Sequence, residues 1–265
     1  LGVLEPPEAD EHYLVEELDE AGAGEAGELA RRYDALLARG EFPLPSLPHI
    51  ALDAVRAIDR DDADARDLAA IVLNDPPIAA KLIKAANSAL FRGLAPVEDC
   101  AKAIVRLGMK TARQLIIAFA MGELFLARAP AVRARMEALW RHSTEVAAIA
   151  MVLSQELRCL DPDEALVAGL LHDIGVVPLL SLAAEDPELA ASGEALDALI
   201  QGRRGALGAR LLGDWNFPES LVTAAREAED WWRDPGAGAD YADLVIVAQL
   251  HSFLSRGDGP DVPPM

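Results

Sequence analysis

The chain reads as all-α, and three observations carry that expectation. Apolar residues fill 52% of the 265 positions but aromatics only 5%, a balance suited to helices packed through Ala and Leu rather than to a β-sandwich. Helix-start signals recur along the chain, several of them an Asp followed by Pro, as at 75–77 and 161–162. No segment alternates apolar and polar residues with the period of two that a half-buried strand needs.

In chain order, residues 1–27 are rich in Glu, Asp, Gly and Ala, with one weakly amphipathic stretch at 12–18. They read as a tail or as a short helix laid on the body. Residues 28–39 predict a helix with Leu29, Tyr33, Leu36 and Leu37 on one side. Gly40 ends it, and Pro43, Pro45 and Pro48 make an extended linker. Leu47, Ala51, Val55 and Ile58 then form one apolar stripe, and Leu68, Ile71 and Val72 the next, in a helix over 65–73 capped by Asp64. Asp75 with two prolines opens a helix over 78–90, and Asp99 caps one over 100–107. After Gly108 a nearly all-apolar helix over 110–127 is expected to be buried on most sides.

Pro130 opens a long helix to about residue 157 that carries Trp140 and His142. Asp161, Pro162 and Glu164 supply a cap, a proline in the first turn and an acid three residues on, so the next helix starts there and stops near Gly175. Helices follow over 176–183, 193–201, 204–215, 218–229 and 241–256, and residues 257–265 make a loose tail.

Charge narrows the function. The net charge is −20, and residues 1–30 hold ten acids with no Lys or Arg. Phosphate backbones need a positive surface, so nucleic acid is not the expected partner. No unbroken apolar run reaches the roughly 20 residues of a membrane span, and the acidic start lacks a signal-peptide pattern. The expected setting is cytoplasmic, with no membrane. Cys100 and Cys159 are too far apart, and too far from any His, to suggest a disulfide framework or a structural zinc site.

The stretch 165–180, ALVAGLLHDIGVVPLL, sets His172 and Asp173 side by side in an apolar run. Burying an ionisable pair without partners is expensive, so these two residues need either a divalent cation, for which His and Asp are good ligands, or other side chains in a polar fastener between helices. Two basic groups stand out elsewhere. Lys102, Arg106, Lys110 and Arg113 would share a helix face, either as an anion contact or as a solvated stripe, unless Gly108 breaks it. Arg128, Arg133, Arg135 and Arg141 could receive the acidic N-terminal segment. Asn87 and Ser88 sit between two helical turns in KAANSALF. Of Trp231 and Trp232, one is expected to plug a central site and the other to cover an edge, with a partner-binding hot spot as the alternative.

Several spaced motifs together resemble the HDOD family, a regulatory branch of the HD-domain superfamily: LPSLP at 44–48, NDPPIAAKLIKAANSAL at 74–90, AKAIVRLG at 101–108, WRHS at 140–143 and LLHDIG at 170–175. They cover about residues 42–254. The resemblance implies a two-lobed helical bundle: an acidic extension at 1–40, an N-terminal lobe at 41–129, an HD-like lobe at 130–256 and a tail at 257–265. It implies a bacterial signalling role through protein–protein contact, with kinases or cyclic-dinucleotide enzymes as the class of partner. Self-association is left open.

In catalytic HD proteins a divalent ion is held by a His on an earlier helix, the His-Asp pair and a late Asp. By this resemblance His142, His172 and Asp173 match three ligands, whereas Arg204 stands where a His often does and Gln249 where the last Asp should. Ala228 and Glu229 replace a His pair. Asp243 and His251 lie six residues before and two after Gln249, hence on other helix faces. Losing an anionic ligand and gaining a guanidinium weakens cation binding. The expectation is therefore no metal and no cofactor, with His142, His172, Asp173, Arg204 and Gln249 forming a relic or ligand-sensing site. The competing reading is a divalent-metal phosphohydrolase acting on nucleotides or cyclic dinucleotides.

Overall fold

Every regular element among the described residues is a helix, in a computed structural model that describes residues 24–39, 44–56, 64–88, 91, 95–125, 129–158, 160–234, 236 and 238–256. The helices are α1 (Glu25–Ala38), α2 (His49–Arg56), α3 (Ala65–Leu73), α4 (Pro76–Ala86), α5 (Cys100–Leu107), α6 (Met109–Met121), α7 (Pro130–Leu157), α8 (Pro162–Leu171), α9 (Val176–Glu185), α10 (Pro187–Ala191), α11 (Gly193–Asp214), α12 (Glu219–Glu227) and α13 (Tyr241–Arg256). A 3-10 turn, Gly122–Phe125, follows α6. The acidic residues 1–23, Arg128 and the tail 257–265 lie outside the described residues, and so does the proposed reception of that acidic segment by the basic group.

Helices α2–α6 make an N-terminal lobe and α7–α13 a C-terminal one, and α6 packs against α8 where the lobes meet. The expected caps are present. Asp64 accepts from the Arg66 and Asp67 amides in a reciprocal capping box, Asp99 accepts from the Lys102 amide, and Asp161 accepts from the Asp163 and Glu164 amides at 3.1 and 3.2 Å. Asp161 also pairs with Lys110, and Thr111 donates to Asp163, so the start of α8 is tied to α6 across the lobes. Tyr241 strengthens the same corner, donating to Glu164 at 3.0 Å and accepting the Asp161 amide at 3.1 Å.

Several boundaries differ from those expected. The helix over 78–90 is α4 and stops at Ala86, because Asn87 caps it and turns its amide group to both backbone atoms of Val97, at 2.8 and 2.9 Å. The helix over 110–127 gives way to the 3-10 turn after Met121. The two helices expected over 193–201 and 204–215 are one, α11. Glycine lowers helix propensity by about 1 kcal/mol, but packing overrides it: a Cβ at Gly205 would lie 2.5 Å from the Arg226 carbonyl oxygen, so glycine is what lets α12 approach. Gly108, at φ 82°, breaks the row of cations. Arg106 turns back to the Ala86 carbonyl and Asn87, Lys102 pairs with Asp99 and Lys110 with Asp161. Lys102 and Lys110 stay largely exposed, at 73% and 57%, while each meets a neighbouring carboxylate.

Pro162–Glu185 is long and apolar enough to cross a membrane by composition, yet 83% of its most apolar window is buried within the protein. It is the core pair α8–α9, interrupted by the turn that carries His172 and Asp173.

Candidate functional site: a polar pocket closed by an arginine

The site is built where α8 ends. His172 takes the C-cap position of α8, and residues 172–175 turn the chain into α9. Two glycines let neighbouring helices close on this turn. A Cβ at Gly169 would sit 2.6 Å from the Ala147 Cα, so α7 crosses α8 at contact distance; a Cβ at Gly175 would sit 1.9 Å from the Arg204 carbonyl oxygen, so α11 presses directly on the turn. The LLHDIG stretch thus brings His142 from α7 and Arg204 from α11 to the His-Asp pair.

His172 and Asp173 are buried, 1% and 4% exposed. Nδ1 of His172 lies 2.8 Å from the Gly169 carbonyl oxygen. That oxygen can only accept, so Nδ1 donates to it, and Nε2 faces Asp173 Oδ2, 3.5 Å away. The His142 ring meets that of His172 edge-on with centroids 5.2 Å apart. Donor atoms from His142, His172 and Asp173 all lie within 4.8 Å of one another.

Arg204 supplies the positive charge. One of its terminal nitrogens lies 3.6 Å from Asp173 Oδ1, and the other pairs with the Glu229 carboxylate. Burial alone would raise the Asp173 carboxyl, but His172, Arg204 and His142 outweigh it and hold the group below the usual Asp value. Glu229 goes the other way. Burial pushes it up to about 7, with Asp173 adding to the rise and Arg204 and Gln249 opposing it.

Gln249 is 1% exposed and donates through Nε2 to the Ala228 carbonyl oxygen at 2.8 Å, so it secures the end of α12 and supplies no anion. Asp243 is held by Arg233, which also pairs with Glu227 and Asp240; His251 is exposed. Neither replaces the missing carboxylate. The outer wall is aromatic: Phe253 stacks on His142 with centroids 5.5 Å apart, and Trp231 stands 6.4 Å beyond Phe253. Trp232 is 63% exposed.

A hydrolytic metal needs several anionic or imidazole ligands and an open position for water. His142, His172 and Asp173 offer three donors of the right kind, and Nε2 of His172 and Oδ1 of Asp173 make no hydrogen bond among the described residues. A cation suits that geometry, and the guanidinium of Arg204 is the cation beside it. The set does not fit a second, divalent one: its fourth ligand, an acid, is replaced by Gln249, and a fixed positive charge lies against the carboxylate that would bind it.

The five site residues named from the sequence lie around this turn. Sequence reasoning missed the Glu229–Arg204 pair, although Glu229 stood at a position where relatives carry histidine. It also missed Phe253 as the ring lying on His142, since nothing in its place two residues after His251 signals that contact.

Fold and site together define a two-lobed helical protein of the HD type. The sequence matches the HDOD domain over residues 44–231, and the chain belongs to the HDOD family. It is similar to an uncharacterized protein of Treponema pallidum (strain Nichols), 26% identical over 227 residues, taking in 80% of this chain and 42% of that one; the chain therefore spans less than half the length of that curated relative. Among solved structures it is similar to a Shewanella amazonensis SB2B protein provisionally described as a metal-dependent phosphohydrolase, with TM-score 0.76 and 27% identity over 88% of this chain and 90% of that one. It is similar as well to an HDOD domain protein of unknown function from Geobacter sulfurreducens, with TM-score 0.67 and 26% identity over 86% of this chain and 78% of that one.

Proposed function

We propose that this chain is a non-catalytic regulatory HDOD module that works in bacterial signal transduction by contact with other proteins. One observation carries the reading: Arg204 bridges Asp173 and Glu229, so the charge of the pocket is balanced by the protein itself. The expected partners are signalling proteins such as kinases or cyclic-dinucleotide enzymes, met in the cytoplasm. The pocket then serves as a polar fastener between α7, α8 and α11, and its charge balance keeps these helices of the C-terminal lobe in one arrangement.

A second reading, a divalent-metal phosphohydrolase of nucleotides or cyclic dinucleotides, is favoured by the convergence of His142, His172 and Asp173 and by the provisional description of the Shewanella structure. Hydrolysis assays with Mn²⁺, Mg²⁺ or Fe²⁺ on a generic phosphodiester and on cyclic dinucleotides separate the two. The regulatory reading expects no turnover with any of them. Turnover abolished by Asp173→Ala would replace it with the enzymatic one.

A further inference from the structure

Helix α1 packs on α11 of the C-terminal lobe, although the chain leads from α1 into the N-terminal lobe. Its apolar contact is Leu29 and Tyr33, buried at 6% and 3% exposure, with Ala30 and Leu36 partly buried beside them. Polar contacts add to the attachment. Both carboxylate oxygens of Asp34 accept from Arg203, one from Nε and one from a terminal nitrogen, a two-point geometry that fixes direction as well as distance. Arg32 reaches Asp186 at 3.5 Å and Glu188 at 3.3 Å, and the Tyr33 hydroxyl donates to Asp186. A 14-residue helix is marginal without such support, and the segment joining it to α2 contains Pro43, Pro45 and Pro48. An element attached in this way can leave without unfolding the lobe beneath it.

The docking point is next to the pocket. Arg203 and Arg204 are consecutive, and successive residues on a helix point about 100° apart, so one arginine reaches out to α1 while its neighbour reaches in to Asp173 and Glu229. Glycines flank the pair, at 202 and 205. Close packing against α12 explains Gly205, but a Cβ at Gly202 would meet nothing within 4 Å. That glycine only softens the middle of α11, at the turn where α1 holds it.

We propose that α1 is a releasable strap that, through Asp34 on Arg203, steadies the centre of α11 and so keeps Arg204 across Asp173 and Glu229. A partner surface offering a cation to Asp34 and an apolar seat to Leu29 and Tyr33 competes for the strap, and its binding loosens the pocket from outside. The inference rests on the reading that Arg204 neutralises the pocket, but it concerns what holds Arg204 in place.

Hydrogen exchange on the full chain, with the His172 ring resonances followed by NMR, tests it. Asp34→Arg sets like charges against Arg203; Arg203→Asp does the same with acids; the double variant restores an opposite pair. Each single variant should lower amide protection in α1 by about 10-fold or more, lower it also around residues 202–206, and shift the His172 ring signals. Protection in α7 and α8 should stay as in the wild type, showing that the lobe is folded, and the double variant should recover all three signals. The proposal is overturned if α1 keeps its protection in both single variants. It is equally overturned if α1 is released while residues 202–206 and the His172 signals do not change. Neither outcome depends on metal binding or turnover, so failure of the strap is distinguishable from failure of the regulatory reading.

Discussion

Replacing Arg204 with methionine removes the charge and keeps most of the packing volume of the side chain. Asp173 is then left in a site where it is 4% exposed, facing Glu229 with no guanidinium between them. Removing one partner of a buried ion pair costs about 3–5 kcal/mol. The side chains of Arg204 and Glu229 keep 24% and 29% of their exposure, so the lower end applies, about 3 kcal/mol, which a domain of ordinary stability survives. The same substitution opens the pocket to a dication. An ion held by His142, His172 and Asp173 about 5 Å from the guanidinium would meet a repulsion of about 7 kcal/mol at an effective dielectric of about 20. Glu229 offsets part of this, and a gain of about 100-fold or more in Mn²⁺ affinity remains. Urea unfolding with and without Mn²⁺ reads both effects. Arg204→Met should be less stable than the wild type in the absence of metal and regain about 2–3 kcal/mol when Mn²⁺ reaches about 100 times its dissociation constant, while the wild type does not respond. A variant as stable as the wild type, or a wild type stabilised by Mn²⁺ as strongly as the variant, would refute the reasoning.

Other expectations follow from single contacts. Glu229 has its folded-state value raised to about 7, so the stability it contributes is fully present below its unfolded value and is lost as pH rises through about 7. Glu229→Gln should flatten urea-measured stability between about pH 4.5 and 7 by about 1–3 kcal/mol. Asp173, held below its usual value, acts with the opposite sign, and its contribution disappears only as pH falls below the ordinary carboxylate range. Gly175→Ala places a methyl 1.9 Å from the Arg204 carbonyl oxygen; that backbone atom cannot yield cheaply, so the melting midpoint should fall by several degrees or the chain should fail to fold, whereas Gly202→Ala, in open space, should be neutral or stabilising by up to about 1 kcal/mol. Asn87→Ala leaves both backbone atoms of Val97 without their side-chain partners and should cost about 2 kcal/mol in urea unfolding.

The sequence was most legible where the physics is local. Asp64, Asp99 and Asp161 cap helices because a carboxylate one residue ahead of an apolar stripe has few better uses, and α3, α5, α7 and α13 run between the residues expected. His172 and Asp173 were readable because two adjacent ionisable groups in an apolar run must find partners. What stayed hidden depends on contacts between residues far apart in the chain. Gly202 and Gly205 look like a break, yet α11 continues through them because α12 approaches at Gly205. Arg204 and Glu229 lie 25 residues apart on different elements, so their pairing had no sequence signal. The cation row from Lys102 to Arg113 is interrupted at Gly108, and the particular partners of Lys102, Arg106 and Lys110 depend on how the flanking segments fold. The docking of α1 on the far lobe was equally hidden, because periodicity identifies an apolar face but not the helix that covers it.

The most direct test of a pocket whose charge is balanced by the chain's own arginine is the metal content of the wild-type protein. It is equilibrated with Mn²⁺, freed of unbound ion by gel filtration, and measured by mass spectrometry. With Arg204 across Asp173 and Glu229, the protein should leave the column without stoichiometric manganese, while Arg204→Met retains it. One ion per wild-type chain, lost on His172→Ala, would contradict the reading.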